Sequence, residues 1–234
     1  MIIDKVRREL ARHDKPENKI YMQRFFKEKL DDPYGLKGDV FRKISNDCFK
    51  EIASEPKKQI LEICNRMVES EERYMRGIAI DWAGKIHAQF VKSDFGLFER
   101  WLKGYVNNWG ACDSLCCGPI GRIVLKFPEL SRKTIKWTSS KNRWVKRGAA
   151  VSLILPVKDG LLLDYVFRTA DILLTDEDDM VQKGYGWMLK DASIEFPNEV
   201  FAYVMKHKAV MPRTALRYAI ERFPAAKRKQ AMKK

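Results

Sequence analysis

"EERYMRGIAIDWAGKIHAQF", residues 71–90, decides the fold class. Its apolar residues Tyr74, Met75, Ile78, Ala79, Trp82, Ala83, Ile86 and Phe90 are spaced by one, three or four positions. That spacing gathers them into one stripe of a helix and leaves the charged residues on the other side. Ser70 and the two glutamates at the start are expected to cap the helix and meet its dipole. "DEDDMVQKGYGWMLKDA", residues 176–192, repeats the design. Met180, Val181, Gly184, Tyr185 and Met188 form its apolar face, and Thr175 stands where an N-cap belongs.

Working outward, similar patterns predict helices near 2–13, 16–30, 38–54, 56–69, 94–108, 111–126, 129–138, 142–155, 160–173, 197–208 and 213–222. Breaks are expected at Pro16, Pro33, Pro56, Pro128, Gly160, Pro197 and Pro212. No convincing strand alternation stands against them. "AAVSLILPV", the best candidate, continues a helical pattern from Arg143. The chain is therefore expected to be all-α. Many short helices joined by brief turns suit either a bundle or an array of helix pairs. A period of about 40 residues marks the array, whose curvature makes a concave surface.

Composition narrows the partners. Hydrophobic residues make up 45% of the 234, enough for a packed core and too many for a disordered chain. No apolar run approaches 18 residues, and the opening "MIIDKVRREL" is charged almost at once. A membrane span and a secretory signal are thus not expected, and a cytoplasmic protein is. Lys and Arg number 45 against 31 Asp and Glu, a formal charge of +14. Such a surplus points to a polyanionic partner, with nucleic acid the commonest.

"VNNWGACDSLCC", residues 106–117, carries the loudest chemical signal, three of the five cysteines. An odd count makes a disulfide framework unattractive. A zinc site needs about four ligands, usually in two separated pairs, and His13, His87 and His207 show no paired spacing near this cluster. The cysteines are read as small apolar residues packing a helix. A thiol or zinc enzyme remains the alternative.

The polar residues give a different pattern. Lys141, Arg143, Lys146 and Arg147 form one basic side of the helix in "KNRWVKRGAAV". Lys183, Trp187 and Lys190 recur at i, i+4 and i+7, opposite an apolar face. Trp109 precedes Arg147 by 38 residues, and Arg147 precedes Trp187 by 40. Those intervals place the three on equivalent helices of successive repeats. Aromatic rings pack on sugars and bases, and guanidinium pairs with phosphate. Asp113 lies one turn beyond Trp109. An acid in a basic groove is misplaced for binding a polyanion, so it is either structural or there for a reaction.

These residues resemble the AlkD-type DNA alkylation repair proteins, HEAT-like alkylpurine DNA glycosylases. The family's W-x-x-x-D element stands as Trp109 to Asp113 in "NWGACDS", its W-x-x-R arginine as Arg147 in "WVKR", and "GWMLKD" supplies Trp187. Tyr21 in "IYMQRFF" and the segment "MPRTALRYAIERFP", residues 211–224, extend the likeness to residues 16–224. Gly110, where an acid is usual, and the Tyr-Gly of "KEKLDDPYGLKGDVFRKI" depart from it.

The resemblance implies a right-handed α-solenoid of tandem HEAT-like helix pairs with a concave basic groove. One such domain would span 1–224, followed by a basic tail over 225–234. It implies hydrolysis of the N-glycosidic bond of N3- or N7-alkylated purines in double-stranded DNA. Asp113 would stabilise the cation forming on the sugar, with Trp109 and Trp187 packed against the deoxyribose and Arg147 on the adjacent phosphate. Tyr21, Arg143, Lys183, Lys190 and Arg213 would follow the backbone, and the lesion would stay stacked. A monomer without cofactor, metal or membrane is expected. A non-enzymatic HEAT-like scaffold that binds nucleic acid or protein is the rival reading.

Overall fold

The computed structural model describes residues 1–27, 34–70 and 72–233, and among them every regular element is helical. The chain packs as two compact units, Met1–Phe90 and Val91–Lys234. In the first unit the helices are α1 (Ile2–Arg12), α2 (Pro16–Gln23), α3 (Gly38–Phe49), α4 (Lys57–Val68) and α5 (Arg73–Lys85). The stripe read in residues 71–90 is the core of this unit. Tyr74, Met75, Ile78, Ala79, Trp82, Ala83, Ile86 and Phe90 are all buried, and α5 packs against α1, α3 and α4. The Trp82 indole N–H donates to the Ser45 carbonyl at 3.0 Å, so a large ring is buried without an unpaired donor.

The second unit holds α6 (Asp94–Tyr105), α7 (Trp109–Leu115), α8 (Gly121–Lys126), α9 (Ser131–Thr134), α10 (Arg143–Val151), α11 (Ile154–Lys158) and α12 (Leu163–Leu173). It ends with α13 (Asp179–Glu195), α14 (Pro197–His207), α15 (Arg213–Ala219) and α16 (Ala225–Met232). The longest of these, α13, packs against α10, α11, α12, α14 and α15. A row of neighbours runs α7 to α10, α10 to α13 and α13 to α15. Trp109, Arg147 and Trp187, the residues at intervals near 40, sit on the first three.

Several boundaries differ from expectation, each for a local reason. The helix expected over 111–126 is broken. After Leu115 the chain widens into a π-turn at Cys116–Ile120, where Gly118 leaves helical geometry with ψ −111°. Pro119 has no N–H to return to the preceding turn, and glycine tolerates the distortion beside it. The helix expected over 142–155 is also interrupted, at residues 152–153, one turn before Pro156, whose ring would clash with the carbonyl four positions back. The helix expected over 16–30 stops at Gln23, and residues 28–30, like the break at Pro33, lie outside the described residues.

The two expected caps are corrected. Asp178, not Thr175, opens α13, its carboxylate accepting from the Met180 and Val181 N–H groups. A charged acceptor at a helix N-terminus satisfies the free donors and also meets the dipole. Ser70 closes α4 instead of opening α5, since its hydroxyl donates to the Met67 carbonyl at 2.7 Å. The segment expected as a basic tail forms α16, whose Ala231 is buried. None of the described helices is long and apolar enough to cross a membrane.

Gly186 sets how closely α13 and α15 approach. A Cβ there would lie 2.8 Å from both the Ala215 carbonyl oxygen and the Tyr218 Cβ. Backbone cannot yield as a flexible side chain does, so Gly186→Ala forces the helices apart. The expected cost is about 1–3 kcal/mol, read as a lowered midpoint in thermal unfolding. An unchanged midpoint would show that the interface is looser than its spacing implies.

Candidate functional site

The α7 helix starts at Trp109 because Asn108 caps it. Asn108 is extended, with φ −151° and ψ 164°, and its side-chain oxygen accepts from the Ala111 N–H at 2.9 Å. Asp113 follows one turn later and is half-buried. Beneath it, Cys112 and Cys116 are buried, and Cys117 is partly so. The Cys112 thiol donates to the Trp144 carbonyl at 3.3 Å, and Cys117 donates to Val151 at 3.6 Å. Both bonds tie this segment to α10. Burial pushes the Cys116 and Cys117 thiols up, and the nearby negative charge of Asp113 adds to the effect. A thiol held protonated is a poor nucleophile and a poor metal ligand. Among the described residues no three His, Cys, Asp or Glu side chains converge as metal ligands.

In α10, Asn142 caps the helix through the Trp144 N–H at 2.9 Å. Arg147 does not share the exposed basic side expected for it. It is only 5% exposed, because the helix packs this side against α7 and α13. Its guanidinium grips Asp113 with both edges, Nε to Oδ1 at 2.7 Å and Nη2 to Oδ2 at 2.8 Å. Nη1 donates to the Met180 carbonyl at 2.6 Å, at the start of α13. Burial opposes the arginine's charge, but the hydrogen bonds and charge of Asp113 outweigh it, and the guanidinium pKa is raised. Gly184 makes room for this side chain: a Cβ there would lie 3.1 Å from Arg147 Cγ. Arginine and aspartate, 34 residues apart in sequence, thus form one rigid unit that joins α7, α10 and α13.

On α13, the half-buried Trp187 donates its indole N–H to Asp191 at 3.0 Å. The other basic candidates also have partners. Arg143 meets Asp178 at 2.9 Å and Asp179 at 3.1 Å. Lys183 pairs with Asp179 at 3.3 Å, and Lys190 with Glu221 at 3.2 Å. Lys146, not a candidate ligand in the sequence, pairs with Asp176. Arg213 is exposed and reaches the Met232 carbonyl at 3.5 Å. Tyr21 belongs to the first unit, where it is 56% exposed and stands edge-on to Phe25 at 5.3 Å.

The acid run at 176–179 therefore supplies counter-ions as well as a helix start. Sequence reading placed the cap at Thr175 and assigned these acids no role as counter-ions. The signal was there in a run of four acids following a basic helix by one repeat. Three of them, Asp176, Asp178 and Asp179, pair with it.

The arrangement offers a fixed carboxylate one turn from a tryptophan, held by an arginine with two guanidinium N–H groups still uncommitted. It can stabilise a cation and orient a water. A family model described as DNA alkylation repair enzyme matches residues 6–223. The fold is similar to a solved structure described as a predicted DNA alkylation repair enzyme from Enterococcus faecalis. The TM-score is 0.79 at 20% identity, with 91% of this chain and 98% of that chain covered. Comparison with curated proteins gives no match.

Proposed function

The chain belongs to the DNA alkylation repair enzyme family, and from that premise we propose that it is a monofunctional DNA glycosylase for cationic N3- and N7-alkylated purines in duplex DNA. In this reading α7, α10, α13 and α15 line one wall of a right-handed HEAT-like solenoid. The concave, basic side of that wall receives the duplex, which the chain's +14 charge draws in.

The chemistry follows from the leaving group. A purine alkylated at N3 or N7 is already positive, so no strong acid is needed to expel it. As the bond between C1′ and the base nitrogen breaks, its electron pair leaves with the base, which becomes neutral. Positive charge moves onto the sugar. The ionised Asp113 carboxylate stabilises that charge and orients the water that attacks C1′, whose proton passes to the carboxylate or to solvent. Trp109 and Trp187 present ring faces to the cationic sugar.

Two N–H groups of Arg147 remain for the adjacent phosphate while it holds Asp113. Arg143, Lys183 and Lys190 exchange carboxylate for phosphate partners. These pairs keep part of their surface in water, which weakens them and lets a phosphate compete for the cation. Tyr21 and Arg213 extend the backbone contacts.

The observation that carries this reading is the two-pronged grip of Arg147 on Asp113. It holds the carboxylate rigidly one turn from Trp109, so its position is set before DNA arrives. The direct test is release of free base from a duplex carrying a single N7-methylguanine. Binding of that duplex without base release would favour the non-enzymatic scaffold.

The thiols take no part in this chemistry. Cys116→Ala and Cys117→Ala are each expected to cost about 1 kcal/mol in stability, with base release by the folded protein unchanged. Loss of base release in a variant that still melts cooperatively would restore the thiol reading.

A further inference from the structure

Both candidate tryptophans are followed by an aspartate at the same spacing, Trp109 by Asp113 and Trp187 by Asp191. Four residues along a helix is one turn, so each acid lies on the side of its ring. The two acids are used differently. Asp113 turns to Arg147, across to the next helix. Asp191 turns to its own tryptophan, with Oδ2 accepting the Trp187 indole N–H at 3.0 Å. Its other oxygen lies 3.3 Å from Nη2 of Arg222, the cation that compensates it.

Asp191 is only 4% exposed, whereas Arg222 reaches it from a half-exposed position. A carboxylate this deep needs both a donor and a positive partner, and here the indole is the closer of the two. A tryptophan ring can turn about its side-chain bonds, and this bond removes that freedom.

We propose that Asp191 is a positioning residue, which fixes the Trp187 ring in the orientation it presents to the sugar of bound DNA. The proposal rests on the glycosylase reading for its effect on catalysis, and on the Trp187–Asp191 hydrogen bond alone for its effect on the ring. Arg222 compensates the carboxylate's charge and keeps it aimed. Asparagine in place of Asp191 still offers an oxygen to the indole, while alanine and leucine do not. Leucine fills the same space and guards against a variant that fails to fold.

The experiment has two arms. In the free protein, the Trp187 indole N–H is identified in a nitrogen-proton spectrum by its loss in Trp187→Phe. Its exchange with solvent is expected to speed up in Asp191→Ala and Asp191→Leu and to stay near wild type in Asp191→Asn. On duplex carrying N7-methylguanine, Asp191→Leu is expected to slow single-turnover base release about 10- to 100-fold with DNA affinity unchanged. Asp191→Asn should restore the rate.

In a Trp187→Phe background, Asp191→Leu should cause no further loss, because the ring it positions is gone. An equal loss in both backgrounds, or an indole signal indifferent to Asp191→Leu, would overturn the proposal. Absence of base release from the wild-type protein would defeat the glycosylase reading, while the exchange arm would still decide whether Asp191 holds the ring.

Discussion

Asp113→Asn is expected to slow single-turnover base release roughly 100- to 1000-fold, the scale for losing one fixed electrostatic group at a reacting centre. Duplex binding should be as tight as wild type or tighter. The carboxylate repels phosphates, so removing its charge helps the polyanion approach while depriving the sugar cation of its counter-charge. Asparagine preserves the shape and one acceptor oxygen for Arg147, whose Nε and Nη2 now hold one oxygen each. Its amide group would face the other donor, so a modest loss of stability is also expected. Rates near wild type in the Asp113→Asn variant would remove Asp113 from the chemistry.

Arg147→Ala is expected to have the largest effect on stability. It strips the half-buried Asp113 of a counter-ion held at 2.7 and 2.8 Å and removes the Arg147 donor from the Met180 carbonyl. Breaking a buried pair from one side costs about 3–5 kcal/mol. The Asp113 side chain keeps 17% exposure, so water softens the loss toward the lower end. At roughly 2–4 °C per kcal/mol for a chain of this size, the drop is easily read by thermal unfolding.

The double variant Asp113→Ala/Arg147→Ala should be less destabilised than the two single losses summed, by about 1–3 kcal/mol of coupling. Simple additivity would mean that the pair does not act as one strut. In binding, Arg147→Ala should weaken modified and unmodified duplexes alike and lower the salt slope by about one. A loss confined to one lesion would mean that Arg147 reads the base.

The legible parts of the fold were those fixed by local periodicity. Tyr74 to Phe90 announces a buried stripe, and every residue in it is buried. The intervals from Trp109 to Arg147 and Trp187 announced three neighbouring helices, and α7, α10 and α13 are neighbours. Prolines inside apolar runs were harder to weigh. Pro119 and Pro156 sit among residues that otherwise read as helix, and only the packed chain shows a π-turn at one and a break one turn before the other. Caps were ambiguous because several acceptors compete in a row, and the carboxylate of Asp178 prevails over Thr175.

The candidate residues could be named from sequence, but the network that joins them could not. Asp113 was read as the reacting group and Arg147 as a phosphate ligand, each by itself. Nothing local shows that they face each other, since pairs separated by more than 30 residues depend on how successive helices stack. The same holds for Arg143 and its acids at 178 and 179. Asp191 was within reach, because it repeats the Trp109 to Asp113 spacing inside a segment already singled out. Its burial, which gives it meaning, was not.

The central claim is that Asp113 supplies charge stabilisation and not strong acid, so only bases that leave as neutral molecules from a cationic state are released. The most direct measurement compares single-turnover release from two otherwise identical duplexes, one carrying N7-methylguanine and the other uracil at the same position. Release of N7-methylguanine with no detectable release of uracil is the expected result, because uracil leaves as an anion unless a pocket activates it. Equal rates on the two duplexes would contradict the account.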